Sequence, residues 1–237
     1  MSIYAKGRLE QKIIVPILSK LVSKEYVGRI RFHYRRITRK IASHLGREVS
    51  ERIIEYPWIL KNLDLEKKRV LDVGCSGSFL SHELIARGYG TYGIDLRFYP
   101  EKRSDMKFYQ VDIRNTPFPD SFFDQIVAVS TIEHVGQGEM PDNGDIVAMR
   151  ELSRILKEDG KMLITLPFAG KYSLKKGRNY DEKRLRLLIR DLSLEKEDYY
   201  ACCGKGKWVK ASKEEAEAAF SPTRPMAVVC LVLRKGV

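Results

Sequence analysis

Long apolar runs are what this sequence most clearly lacks. No stretch approaches the ~20 residues that a membrane-spanning helix needs, and "IIVPIL" and "AVVCLVL" are the longest candidates. No cleavable secretory leader is expected, because Pro16 and the surrounding Lys and Arg interrupt any apolar stretch near the start. Cysteine is scarce: Cys75, the adjacent Cys202 and Cys203, and Cys230. Their spacing fits neither a disulfide framework nor a zinc site, so no metal is expected and a reduced, cytoplasmic setting is. Internal repeats and low-complexity tracts are also missing. What remains is a 237-residue chain, 43% hydrophobic and 31% charged, with material for one full-sized domain plus an extension.

Charge is present but unevenly placed. Residues 1–47 hold twelve Lys or Arg against Glu10 and Glu25, a net +10 that leaves only +2 of the chain's +12 for the rest. Within this segment Val27, Ile30, Tyr34, Ile37, Ile41 and Leu45 recur at helical steps. Arg31, Arg35 and Arg39 form another face, beside Arg29, Arg36 and Lys40. Residues 1–62 therefore read as a basic helical extension and 63–237 as the main domain. The basic face is either solvated or a grip for an anionic partner: RNA, a phospholipid surface or a phosphorylated substrate. A peripheral place at a membrane surface belongs to the second alternative.

From Lys67 onward strands and helices alternate. "RVLDVG", "TYGIDL", "KFYQVDI", "FDQIVAVST" and "KMLITLPF" read as strands, separated by the helices "SFLSHELIARG" and "DIVAMRELSRILKEDG". "EKRLRLLIRDL" is a further helix, and "SLEKEDYYACC" and "MAVVCLVLRK" close the pattern as strands. The expected fold is α/β: a Rossmann-like, seven-stranded, mostly parallel sheet with helices on both faces.

The turn "LDVGCSGS" joins the first strand to its helix. Gly74 and Gly77 can take backbone angles closed to other residues and leave room for a ligand against the main chain. Ser76 and Ser78 are expected helix caps, with amides aimed at that ligand. Asp95 ends the second strand about twenty residues later, where a carboxylate accepts hydrogen bonds from ribose hydroxyls. Asp112, beside Ile113, is placed for an adenine amino group. Asp72 discriminates among adenosine cofactors: an acid entering the turn repels pyrophosphate but pairs with the ammonium of an amino acid. That disfavours NAD and favours S-adenosylmethionine, whose product is S-adenosylhomocysteine.

"VLDVGCSGS", "YGIDL", "QVDIRNTPFPDSFFDQIVAVSTIEHV" and "ELSRILKEDGKMLITLPF" together resemble class I S-adenosylmethionine-dependent methyltransferases, above all the branch of the menaquinone-pathway enzymes. A looser resemblance, carried by "EHVG", "GDIVAMRELSRILK" and "VVCLVLRK", is to methyltransferases of surface-polysaccharide gene clusters. The resemblance implies that Asp72 and the turn Gly74, Cys75 and Gly77 meet the methionine portion. It likewise implies Asp95 with Leu96 at the ribose, Asp112 with Ile113 at the adenine, and Ser130 along the methionine side. The chain departs from the family where Ser76 and Ser78 replace the usual glycines.

Methyl transfer to a hydroxyl requires alignment and removal of a proton. Glu133 and His134, in "STIEHVG", form the only adjacent acid–imidazole pair in a motif position. His134 is the expected base, and the alternative is that both residues support the pocket. No "NPPY" or "DPPY" follows the fourth strand and no Cys stands there, which argues against amino-directed and cytosine-directed nucleic-acid chemistry. The expected acceptor is an oxygen of a small molecule or glycan. An RNA methyltransferase and a non-catalytic cofactor-binding regulator are the alternatives. "GQGEMPDNGDIVAM" and "SLKKGRNYDEKRL" are expected to cover the acceptor, with Lys171, Lys175, Lys176 and Arg178 read as solvated charge, or alternatively as a match for a phosphate-bearing or anionic acceptor.

Overall fold

The computed structural model describes residues 50–64, 69–99, 105–174, 177–204, 206–219 and 226–235. All belong to one compact unit, Ser50–Val237. The basic face at Arg29–Lys40 and the apolar stripe beside it lie outside the described residues, as do Lys175 and Lys176.

The elements run α1 Arg52–Asn62, β1 Arg69–Val73, α2 Leu80–Ala86, β2 Gly90–Asp95, β3 Lys107–Gln110, β4 Phe123–Val129, α3 Gly144–Ile155, β5 Leu156–Pro167, α4 Glu182–Leu188, β6 Leu192–Cys202, β7 Trp208–Ala211, α5 Lys213–Ala218 and β8 Ala227–Lys235. They build a single sheet in the order β3-β2-β1-β4-β5-β8-β6-β7. The first five strands are parallel, and β8, β6 and β7 pair antiparallel. The sheet has eight strands rather than seven. The extra one is β7, which turns back from Cys202 at Gly204 (φ +87°) and pairs with the end of β6.

Alternation along the central strands supplies two cores. Leu71, Ile126 and Ala128 point to the face covered by Ala148, Leu152 and Ile155 of α3 and by Leu185 of α4. Val70, Val127 and Val129 point to the other face, against Leu80 and Leu84 of α2 and Trp58 and Ile59 of α1. Strands buried on both faces are the signature of a covered parallel sheet. The helix α1, assigned to the extension from sequence, thus seals one face of the sheet. Its Trp58 indole donates to Asp198 of β6 at 2.9 Å.

The sheet order reverses between β1 and β4. In such sheets ligands bind beyond the carboxyl ends of the strands at this switch point. Asp72, Asp95 and Ser130 all stand there.

Candidate active site

The turn after β1 takes the form its glycines allow. Gly74 sits at φ +71° and Gly77 at φ +79°. The Gly74 amide donates to Ile94 O at 2.8 Å, which ties the turn to β2. A Cβ at Gly74 would lie 2.4 Å from Thr131 Oγ1, whereas one at Gly77 would meet nothing within 4 Å. So Gly74 is required by close approach of the loop after β4, and Gly77 faces open space. Neither expected cap is the N-cap, a place that Phe79 takes: Ser78 Oγ accepts from the Leu80 amide at 3.0 Å from one position earlier, and the Ser76 hydroxyl donates to Arg97 O. Cys75 contributes only main chain here. Its side chain is buried with Tyr99 and Met106, and burial pushes its thiol pKa up.

The acids stand where the strand pattern puts them. Asp72 is buried, accepts from Ser81 Oγ, and has its pKa pushed up to about 7 by burial. Asp95, at the end of β2, accepts from the Ser76 amide at 3.0 Å and the Arg97 amide at 2.8 Å. Asp112 follows β3 and is gripped by Arg114, which holds its carboxyl below the usual range. Leu96 is 65% exposed and Ile113 is buried, so the two apolar neighbours of these acids differ in character.

Sequence reasoning missed a contribution from α1. Arg52 Nη1 donates to Glu55 Oε2 at 2.8 Å and to Val129 O at 2.9 Å. Glu55 is buried, and its Oε1 accepts from Ser130 Oγ at 2.6 Å and Thr165 Oγ1 at 2.7 Å. Ser130 is thereby held at φ +42°, an uncommon conformation for a residue with a side chain. Its hydroxyl is committed to Glu55, so Ser130 shapes the wall of the site. Tyr56 Oη lies 3.1 Å from Ser78 Oγ, so α1 also touches the glycine turn. The Arg52 guanidinium acts electrostatically on Asp72, Glu133 and His134, which places it among the strand ends. Asp72 and Arg52 thus bring a buried acid and a cation within electrostatic reach of each other. No local signal in "SERIIEYPWIL" marks these contacts in advance.

Glu133 and His134 lie in a short 3-10 turn, Ile132–His134. His134 is 58% exposed, and its Nε2 is 3.8 Å from Glu133 Oε1, beyond hydrogen-bonding range. Partial burial, with Arg52, Arg178 and Arg97 adding positive charge, lowers its pKa below the usual 6.5. Glu133 is buried, its Oε2 has no hydrogen-bond partner, and burial pushes its pKa up to about 8. Over them passes Gly177 at φ +115°, whose Cβ would come within 3.1 Å of the His134 ring. Beside it Arg178 is wholly buried, a correction to its reading as solvated charge. Arg178 donates to Val135 O at 2.6 Å and to Asp142 at 2.9 Å, clasping the two loops expected to cover the acceptor.

The raised pKa values of Asp72 and Glu133 carry a sign. Both bind a proton in the folded state at pH values where the unfolded chain has released it. Their contribution is therefore fully present below about pH 4 and is lost as pH rises through about 7 and 8. Chemical denaturation of the ligand-free protein should show stability falling from pH 5 to pH 8.5 by a few kcal/mol, on the order of one pKa unit per 1.4 kcal/mol. Glu133→Gln should flatten the upper part of that slope. An unchanged slope in this variant would mean Glu133 is ionised when folded.

A glycine turn thus stands at the switch point, with a buried acid in β1, an acid at the end of β2 and another just past β3. Residues 71–164 match the family described as a methyltransferase domain. The chain is 29% identical over 119 residues to a ubiquinone biosynthesis O-methyltransferase of Pseudomonas entomophila, covering 46% of this chain and 48% of that protein. It thus spans about half the length of the curated relatives it matches. In fold it is similar to the PH0226 protein of Pyrococcus horikoshii, with TM-score 0.56, 18% identity and coverage of 78% and 90% of the two chains. It is also similar to the 1,6-didemethyltoxoflavin-N1-methyltransferase of Burkholderia thailandensis, whose structure holds S-adenosylhomocysteine. There the TM-score is 0.55, identity 14% and coverage 90% and 86%. Among the described residues no cluster of three or more His, Cys, Asp or Glu could hold a metal. No helix among them is long and apolar enough to cross a membrane.

Proposed function

We propose that the protein methylates a hydroxyl oxygen of a small molecule or glycan, with His134 as the base. The observation that carries this reading is the half-exposed His134 imidazole just past the carboxyl end of β4, where partial burial lowers its pKa. When bound, S-adenosylmethionine supplies a methyl group on a sulfonium that already leaves well. Asp72 and Arg52 receive its amino-acid end, and the Gly74 and Gly77 turn leaves room for it. Asp95 and Asp112, with Leu96 and Ile113, receive its ribose and adenine. Ser130 and Thr131 shape the wall facing the turn. His134 accepts the acceptor's proton, and the buried Glu133, protonated at neutral pH, supports the turn that carries it.

The resemblance to a named O-methyltransferase supports oxygen as the acceptor atom. The test is turnover against a panel of phenolic and sugar hydroxyls, followed by mass spectrometry. His134→Ala should lower kcat by about 10²–10⁴-fold while leaving S-adenosylhomocysteine affinity unchanged. In the wild type, the acid limb of kcat/KM should have its midpoint below pH 6.5, since the base works only when unprotonated. A normal rate for His134→Ala would end the base role. Methylation confined to nitrogen acceptors would end the oxygen reading.

A second reading, RNA methylation, is favoured by the +10 charge of residues 1–47. It requires RNA binding that weakens with salt and is lost when residues 1–47 are deleted. Binding to anionic liposomes but not to RNA would assign that charge to a membrane surface. Tight cofactor binding without turnover on any acceptor would instead support a regulator.

A further inference from the structure

We propose that Arg97 and Arg114 set the cofactor affinity of this site by occupying the two carboxylates that adenosine must use. The proposal rests on the assignment of Asp95 to ribose and Asp112 to adenine. The sequence carries the same Asp-x-Arg spacing at both places, Asp95–Arg97 and Asp112–Arg114, at the ends of adjacent strands.

In each case the arginine folds back on the acid two residues before it. Asp95 Oδ1 accepts from the Arg97 amide at 2.8 Å and from Arg97 Nε at 3.2 Å. Its Oδ2 accepts from the Ser76 amide at 3.0 Å and from Arg97 Nη2 at 3.4 Å. Asp112 Oδ1 accepts from the Arg114 amide at 2.9 Å and Nε at 3.1 Å, and Oδ2 from Nε at 3.1 Å and Nη2 at 2.7 Å. An ionised carboxylate offers about four lone-pair positions, and at both acids four contacts already fill them.

A ribose diol brings two hydroxyl donors to Asp95, and an adenine amino group brings one to Asp112. Room must come from the donors that can leave. The amides of Ser76, Arg97 and Arg114 belong to the strand-end turns. The side-chain donors do not: Arg97 supplies two of the four at Asp95, the number a diol needs. The Arg97 side chain is 69% exposed, and it also donates from Nη2 to Ser76 O at 2.9 Å. Arg114 is held harder, at 29% exposure, because its Nη1 also binds Glu139. Adenosine therefore exchanges an ion pair for neutral hydrogen bonds at each acid. Ion pairs this exposed are weak, so each cap lowers affinity by only about two- to fivefold.

The test uses two probes, adenosine, which is uncharged and has no amino-acid end, and S-adenosylhomocysteine. Calorimetry on the full chain should show both binding about two- to fivefold more tightly to Arg97→Ala and to Arg114→Ala. Adenosine affinity for the wild type should rise between 50 and 500 mM NaCl, because salt screens the competing ion pairs. In the double variant it should be flat. Arg97→Lys, which keeps the charge but loses the fork, serves if an alanine variant does not fold, and should also tighten binding. Weaker binding in the arginine variants, or unchanged binding at both salt concentrations, overturns the proposal. Asp95→Ala and Asp112→Ala separate the two levels. If they fail to weaken adenosine binding, the assignment of the acids falls; if they weaken it while the arginine variants do not tighten it, only the proposal falls.

Discussion

Gly74→Val should abolish measurable binding of S-adenosylhomocysteine and lower thermal stability by roughly 5–15 °C. Two costs act at this position. The backbone at φ +71° is open to glycine but costs a side-chain-bearing residue roughly 1–2 kcal/mol. The new side chain would also enter space held by Thr131, 2.4 Å from its Oγ1 and 2.5 Å from its Cγ2. Thr131 cannot easily yield, because its hydroxyl lies 3.2 Å from Val73 O and 3.1 Å from Val129 O, bridging the ends of β1 and β4. Overpacking of this kind costs about 1–3 kcal/mol more, and each kcal/mol moves Tm by about 2–4 °C in a chain of this size. Gly77→Ala is the control: φ is +79°, but nothing stands within 4 Å, so only the backbone cost applies. Equal losses in thermal melts of the two variants would show that contact with Thr131 is not what demands glycine at 74.

Arg178→Met should cost about 3–5 kcal/mol in urea denaturation, the range for a buried ion pair that loses one partner. The methionine fills similar volume but leaves the Val135 carbonyl without its donor and Asp142 with only the Tyr172 hydroxyl, while Glu133 O keeps the main-chain amide of residue 178. Asp145, 3.7 Å from Arg178, keeps Arg184 and Tyr180 and is less affected. The same substitution loosens the two loops over His134. The rate of methyl transfer should therefore fall at a temperature where the variant is still folded, while S-adenosylhomocysteine binding stays near wild type. Loss of cofactor affinity in proportion to activity would place the role of Arg178 on the cofactor side instead.

These two residues also mark the limit of what was readable beforehand. The turn at Gly74 and the acids at Asp72, Asp95 and Asp112 were legible because they follow from local rules. A strand must end, a turn must take unusual angles, and a fixed spacing puts the next acid at the next strand end. Arg178 was misread because "SLKKGRNYDEKRL" looks like any solvated charged loop. Only folding brings it under Asp142, thirty-six positions earlier. Glu55 was invisible for the same reason, since its partners Ser130 and Thr165 lie seventy-five and one hundred and ten positions away. The strand β7 was lost because four residues after a Cys–Cys–Gly turn carry too short an alternation to register. Ser76 was assigned as a cap on residue type alone, when the tie to Arg97 across the turn decided its bond.

The placement of Arg52 and Glu55 on α1 bears on how far this module can be transplanted. The stretch that matches the methyltransferase family begins at residue 71, after both. A chimera grafted from that stretch alone would inherit the glycine turn and three acids. It would have no cation beside Asp72 and no carboxylate to hold Ser130 at φ +42°. It would also leave bare the sheet face that Trp58 and Ile59 cover. The portable piece is therefore larger than the recognisable one. Exchanges between relatives should be spliced ahead of Ser50, so that lid, wall and cradle travel as one cassette.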